Sequence, residues 1–517
     1  MPIVPTGSIN TSAGLVPDLY VQIVPPQPAL NGTPSNIVGL VGTASWGPVN
    51  TPTVVGSPNG FASQFGSPIP RPFDIGTHLA VAFQQRASNF RVVRVTDGSD
   101  VAASGIFGTS STPDITFKAL YSGSLGNSIT VSLAAGGASG SWNLSVALPG
   151  VGTETFTNIS GTGAAFWVAA ANAINNGQGA FRGPSKLITA TVGTGTDAAS
   201  AESVTLSAGT DGASGVTAAT LLGSDSSPRT GLYTLRGQGC ALIDLVDCTE
   251  TTQWSVANAF GLAEGAYMVQ ALTSGTSISA AVSDVQTLGI DSYATKIMHG
   301  DYLYWYDQVN AVTRLVSPAA FAVGILAALT PAQSSLNKPL SAIQGSQSQG
   351  VVGTPQFTTY SMADLQTLFS AGIDVICEPQ PGGNYWGVRG GINSSLNAAV
   401  NGDNYTRMTN YISATLNQGM GQFVGRLISP SLMNEVKTTL DSFCANLLIA
   451  GLLVLNSDGS LPYSNVCNAA INPPSQTALG KLTATSTITY ADIVTEFIVN
   501  LQGGQTVVTM NSGSPLG

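Results

Sequence analysis

The chemistry open to this chain is limited by two histidines, five cysteines and a thin supply of charge. His299 stands two residues before Asp301, and Asp244 and Asp247 close the strand-like stretch "CALIDLV". Open parallel sheets present their ligands at strand ends of this kind. Asp244, Asp247 and His299 are therefore the one constellation that offers acid–base catalysis. Carboxylates at strand ends also serve as helix caps, with no reaction implied. His78 falls in an amphipathic helical stretch and reads as a partly exposed structural residue. Cys240, Cys248, Cys377, Cys444 and Cys467 are odd in number and contain no CxxC pair. Reduced, buried thiols are expected, not a disulfide framework. No GxxxxGK[ST], GxGxxG after a strand, GxSxG, HExxH or EF-hand loop occurs, so neither metal nor cofactor is expected.

The stretch "GGNYWGVRGG" sets five glycines around two large aromatics and Arg389. A phosphate-binding glycine loop leads from a strand into a helix N-terminus, whose amides face the anion. Here "VICEP" supplies a strand, but Pro379 and Pro381 intervene and "GVRGGINSSL" continues as extended or irregular chain. Arg389 can pair with a carboxylate as readily as with phosphate. The loop is expected to be structural. "RGQGCALID" has its glycines before a strand, the wrong order for a phosphate cradle.

These residues must be positioned by an α/β framework. "IVGLVG" reads as a buried strand, and Ser57-Pro58 can cap a short helix that ends at Gly66. Pro72 opens a second helix whose Ile75, Leu79, Ala82 and Phe83 share a face. "FRVVRV" is the next strand. After Arg229 the rhythm resumes: strand "CALIDLV", a helix near 254–262, strand "AYMVQAL", a helix through 282–288, then "ATKIMHGDYLYWY". Strands alternating with helices predict a parallel sheet covered on both faces. Between the halves, residues 119–228 carry seven charges and are dense in Gly, Ser, Thr and Ala. "SITVSL", "WNLSVAL" and "ESVTLSA" alternate as half-buried antiparallel strands do, with "AAFWVAAANAI" as one helix. The last part reads as α+β. Tyr405, Met408, Ile412 and Leu416 form one helical stripe, Ser429-Pro430 caps a second helix, and strand-like text continues through "EFIVNLQ".

Two short strands stand apart. "LYVQIV" is cut off by Pro25, Pro26 and Pro28, and "TVVTM" lies beyond Gly503-Gly504. Neither has a hairpin partner nearby, so their backbone groups must pair at a distance, another chain included. Five segments are expected: an arm at 1–24, an α/β core at 25–114 and 229–385, a β-rich insertion at 115–228, an α+β domain at 386–502 and an arm at 503–517. Only 9% of the 517 residues are charged, and the surface must be largely neutral, as suits a protein covered by copies of itself. A net charge of −10 with 17 basic residues argues against nucleic acid. No secretory signal or membrane-spanning run is expected, and the reduced thiols are consistent with assembly in a cytoplasm.

In this order the motifs resemble those of contractile tail sheath proteins, from phages and related injection machines. "LYVQIV" sits where such proteins have a Tyr-Val strand. "IVGLVGTASWGPVNTPTVVGSPNGFASQFG" resembles their opening segment, and "HLAVAFQQRASNFRVVRV" their helix followed by a basic strand. "FKALYSGSLGNSITVSL" is similar to the start of their variable insertion, and "MADLQTLFSAGIDVICEPQPGGNYWGVRGG" to the stretch ending in an aromatic-Gly-x-Arg signature, here Trp386, Gly387 and Arg389. Departures occur at Asp18-Leu19 and at Gly390.

The resemblance implies a non-enzymatic subunit of a virion tail, assembled in the host cytoplasm. Such a subunit polymerises helically around a tail tube and contracts to drive it through a cell envelope. Its partners would be its own copies, the tube protein, and the baseplate and terminator proteins, with no nucleic acid and no membrane insertion. Strand exchange between copies would use Tyr20, Val21, Gln22 and Ile23 in one arm and Thr506, Val507, Val508 and Thr509 in the other. The insertion would lie on the outer surface and the 386–502 domain against the tube. Two other readings stand beside it: a β-rich surface or adhesive protein, which predicts an export signal, and an α/β enzyme acting at Asp244, Asp247 or His299.

Overall fold

The computed structural model describes residues 3–4, 21–22, 30, 32–180 and 182–501. It is a mixed α/β structure with several sheets. Its centre is a seven-stranded sheet in the order Ile373–Asp374, Thr295–Met298, Tyr267–Ala271, Leu242–Leu245, Val38–Gly42, Phe90–Arg94, Thr53–Val55. All neighbours pair in parallel except Thr53–Val55, which closes one edge antiparallel to Phe90–Arg94. Buried on both faces, these strands lose the apolar–polar alternation and read as continuous hydrophobic text. One face packs on the helices Pro58–Phe65, Ile75–Gln84 and Pro318–Ala328. The other packs on Trp254–Glu264, Ile278–Leu288 and Met362–Ser370. Pro318–Ala328 is apolar on every side, as a helix with no solvent face must be.

Ser57 caps the first helix by accepting from the Gly60 amide, with Pro58 at the first helical position. The second helix begins later than Pro72 suggests. Phe73 holds φ at 61°, and Asp74 is the cap, its carboxylate accepting from the Thr77 amide at 2.9 Å. "ATKIMHGDYLYWY" holds two strands. Thr295–Met298 belongs to the central sheet, whereas Leu303–Asp307 joins a separate antiparallel sheet with Val312–Val316, Ile343–Ser346 and Gly350–Val351. His299, Gly300 and Asp301 make the break.

The low-charge segment is folded. A four-stranded antiparallel sheet (Gly152–Ser160, Ser141–Leu148, Thr130–Ala135, Glu202–Thr205) and a three-stranded one (Ile188–Val192, Pro113–Ala119, Ser104–Gly108) share a core with the helix Ala164–Asn176. That core begins at Ala103, ahead of 115, and also takes in Trp46 from the central unit. Val216, Ala218, Leu221 and Leu222 pack instead on the central sheet. Arg94, fully buried, ties the base together: it donates to the carbonyls of Gly47 (2.8 Å), Ser122 (2.7 Å) and Asp211 (3.0 Å).

The C-terminal region carries two long helices, Asp403–Gly419 and Pro430–Ile449, and a two-stranded antiparallel sheet, Tyr463–Val466 with Thr485–Ile488. The strand-like text expected through "EFIVNLQ" forms no strand over its described part: residues 489–501 have no regular structure, and Phe497 is 85% exposed. Of the arm residues, Val21–Gln22 pairs in parallel with Ile3–Val4. Tyr20, Ile23 and Thr506, Val507, Val508 and Thr509 lie outside the described residues.

Candidate functional site

The central sheet changes direction between Val38–Gly42 and Leu242–Leu245. From Val38–Gly42 the chain builds one side through Phe90–Arg94, then returns to build the other. The strand ends at this switch point form a crevice, the place where sheets of this type bind ligands. A cleft of about 550 Å³ opens there, lined by Arg71, Thr77, His78, Asp247, Tyr302 and Arg314 among others.

Asp244 and Asp247 are both at this crevice, but their histidine is His78, not His299. His78 is 1% exposed, so the partly exposed position expected for it is wrong. An amphipathic helix hides whichever face lies on the sheet, and His78 is on that face. Its Nδ1 lies 2.6 Å from Asp244 Oδ2 and its Nε2 3.1 Å from Asp247 Oδ1. Burial alone would push the imidazole pKa down. The two carboxylates reverse this and raise it to about 10. With both ring nitrogens donating to carboxylates, the ring has no lone pair with which to accept a proton. It is a charged cross-brace from helix to sheet, not a general base. Asp247 itself sits at φ 51° and accepts from the Phe73 amide at 3.1 Å, so two residues at positive φ hold each other at the crevice.

His299 is turned elsewhere. Its ring packs edge-on against Tyr360 at 6.3 Å, and its Nδ1 is buried without a partner. Burial lowers its pKa. Asp301 accepts from Ser346 Oγ (2.8 Å), the Ser348 amide (2.7 Å) and Tyr360 Oη (2.8 Å), bracing the loop that follows Ile343–Ser346. The proposed trio of Asp244, Asp247 and His299 is not brought together.

A second charged node had no signal in the sequence. Lys296 is fully buried, with Nζ 2.6 Å from Asp374 Oδ2, 3.0 Å from Asp403 Oδ1 and 2.8 Å from the Ile392 carbonyl. Asp403 also accepts from Tyr267 Oη (2.7 Å) and from Ser335. Asp374 accepts from the Gly390 amide at 2.8 Å and the Ile392 amide at 3.1 Å. Burial would lower the ammonium pKa, and the two carboxylates override it and raise it. The node joins the sheet edge, the loop after Arg389 and the first turn of Asp403–Gly419. Its members are 78 and 107 positions from Lys296 in the chain, beyond any local motif.

The aromatic-Gly-x-Arg loop runs through this junction. Gly387–Val388 pairs with Ile376–Cys377. A Cβ on Gly387 would press on the Lys338 carbonyl at 2.9 Å, which is why glycine stands there. Trp386 is buried against Phe357, with ring centroids 6.4 Å apart. The Arg389 amide donates to the Val375 carbonyl at 2.9 Å, while its half-buried guanidinium makes no ion pair among the described residues. Among those residues no group of three or more potential metal ligands occurs, and no helix is long and apolar enough to cross a membrane. All five cysteines are buried thiols, and burial pushes those of Cys240, Cys248 and Cys377 up to about 12.

The fold is similar to that of sheath tail proteins from contractile systems. The chain is similar over 85% of its length to the sheath tail protein Lin1278 of Listeria innocua, covering 90% of that chain at 13% identity with a TM-score of 0.59. It is likewise similar to the sheath tail protein DSY3957 of Desulfitobacterium hafniense (14% identity, 87% of this chain, 95% of that one, TM-score 0.53). The helical sheath of the anti-feeding prophage in its contracted state matches over 96% of this chain and 100% of its own, at 12% identity and TM-score 0.52. No family profile matches the sequence, and no curated protein matches it.

Proposed function

We propose that this chain is the structural subunit of a contractile tail sheath, polymerising helically around a tail tube and contracting to drive it through a target envelope. The observation that carries this is the fold likeness to sheath tail proteins over nearly the whole chain. The C-terminal region supports strand exchange between copies. Among the described residues the sheet of Tyr463–Val466 and Thr485–Ile488 has two strands, and such a pair is marginal on its own in water. Arms from neighbouring copies, through Tyr20, Val21, Gln22 and Ile23 at one end and Thr506, Val507, Val508 and Thr509 at the other, would complete it by β-augmentation. Head-to-tail contacts that do not close then generate a helix. The junction at Trp386, Gly387 and Arg389 leads into the region that faces the tube, and the insertion occupies the outer wall. The partners are further copies, the tube protein, and the baseplate and terminator proteins. The particle tail is the location, with assembly in the host cytoplasm. Nothing in the mechanism calls for a reaction: His78, the only histidine at the crevice, is committed to its carboxylates. Negative-stain microscopy of the purified chain tests the reading. Ringed or striated tubes are expected, and a chain that stays monomeric at high concentration, with its arms intact, refutes it.

A further inference from the structure

Both arms leave the described structure from one helix. At the N-terminal root, Leu30 is buried against Met408 and Ile412, and the Thr33 amide donates to Thr415 Oγ1 at 3.2 Å. Arg407 donates to the Ser35 carbonyl at 3.4 Å. The approach is close enough that a Cβ on Gly32 would collide with Tyr411, and one on Gly419 with Leu30. Leu30 and residues 32–35 thus run back along Asp403–Gly419, from Gly419 towards Arg407.

At the C-terminal root, Tyr490 packs on Tyr405 at 5.7 Å, and Tyr405 on Tyr293 at 5.9 Å. Thr409 donates to Tyr490 Oη at 3.2 Å, and Asn404 to the Ala491 carbonyl at 3.1 Å. These contacts gather at the N-terminal end of the same helix, beside Asp403 and its bond to Lys296. The chain then runs out as the exposed segment 492–501. A helix of 17 residues is about 25 Å long at 1.5 Å per residue, stiff along its axis, and here it touches both arm roots and the sheet.

We propose that the Asp403–Gly419 helix is the coupling rod of the subunit: displacement of the copy holding one arm is delivered through it to the copy holding the other. This rests on the strand-exchange reading above. The arms are then linked in series, and their roots are positioning elements whose loss should not multiply. Breaking either end disconnects the rod, and breaking the second adds nothing.

The test uses tails built from the full chain and triggered with a urea step, comparing Leu30→Ala, Tyr490→Ala and the double variant. Each single substitution is expected to lower the fraction of uniformly contracted tails several-fold, with the double no worse than either. Leu30 and Tyr490 pack on one hydrophobic cluster, so the monomer stability of each single variant and of the double is measured before contraction is scored. Thr415→Val and Asn404→Ala, which each remove one hydrogen bond, provide a milder pair if the first set folds poorly. Contraction defects that multiply in the double, or single variants that contract uniformly, overturn the rod. Wild-type chain that builds no sheath fails earlier, at the strand-exchange step, and overturns both.

Discussion

The central sheet and the C-terminal region treat apolar surface in opposite ways. Around the sheet, large apolar side chains turn inward into two clusters, and even charged residues such as Lys296, Asp374 and Arg94 are buried with partners. From 424 onward a buried face remains, but apolar side chains also stand in water: Val424, Leu427, Ile449, Phe497, Ile498 and Leu501 are each more than three-quarters exposed. A monomer gains nothing from apolar side chains in water. The sheet is therefore finished within one copy, while the C-terminal region holds apolar surface that the proposed sheath would cover. Substitutions in the first, and on the buried face of the second, should act on folding, and substitutions at the exposed apolar residues of the second on assembly.

The largest effect is expected where the two regions are joined. Lys296→Met leaves Asp374 and Asp403 buried without a cation, and breaking a buried ion pair in this way costs about 3–5 kcal/mol. Urea unfolding should show this loss, and limited proteolysis should find the chain after Arg389 opened first. A variant within 1 kcal/mol of wild type would mean that the sheet and the 403–419 helix are held together by something other than this node.

Next comes a pH dependence belonging to the sheet alone. The folded-state pKa of His78 is raised to about 10, against 6.5 for an ordinary histidine. Its contribution to stability is therefore complete below pH 6.5, declines as pH rises, and is gone above about 10. For one proton the steepest slope is about 1.4 kcal/mol per pH unit. The stability difference between wild type and His78→Gln should shrink steadily from pH 7 to pH 10. A difference independent of pH over that window would show that His78 is not held as an imidazolium.

How much of this was legible in the sequence follows from range. Local rules located the helix caps at Ser57 and Ser429, the helix Ala164–Asn176 and the alternating strands of the insertion, because capping and periodicity act within a few residues. They failed where a partner lay far off. Asp244 and Asp247 could be placed at a strand end, but 166 positions separate His78 from Asp244, so nothing nearby distinguished it from His299. Lys296 carried no signal for the same reason, its partners lying 78 and 107 positions away. The strand-like text of 489–501 misled because β-propensity describes a side chain awaiting a pleated neighbour, and none of the described residues provides one.

The smallest expected change in folding is paired with a large change in assembly, and two phenylalanines make the contrast. Phe443 is 2% exposed on the inner face of Pro430–Ile449, and Phe497 lies on the exposed segment. Phe443→Ala removes a packed ring from a core and should cost about 3–5 kcal/mol of monomer stability. Phe497→Ala removes a ring already in water, and the monomer should stay within about 0.5 kcal/mol of wild type. If a second copy covers residues 492–501, however, that ring contributes about 1.5–3 kcal/mol to the contact. Since about 1.4 kcal/mol is a factor of ten, the concentration at which sheath begins to pellet should rise tenfold or more. Sedimentation of both variants over a concentration series decides the matter. Equal pelleting by Phe497→Ala and wild type would leave the exposed segment outside the interface, and the division between a finished sheet and an unfinished C-terminal region would have to be redrawn.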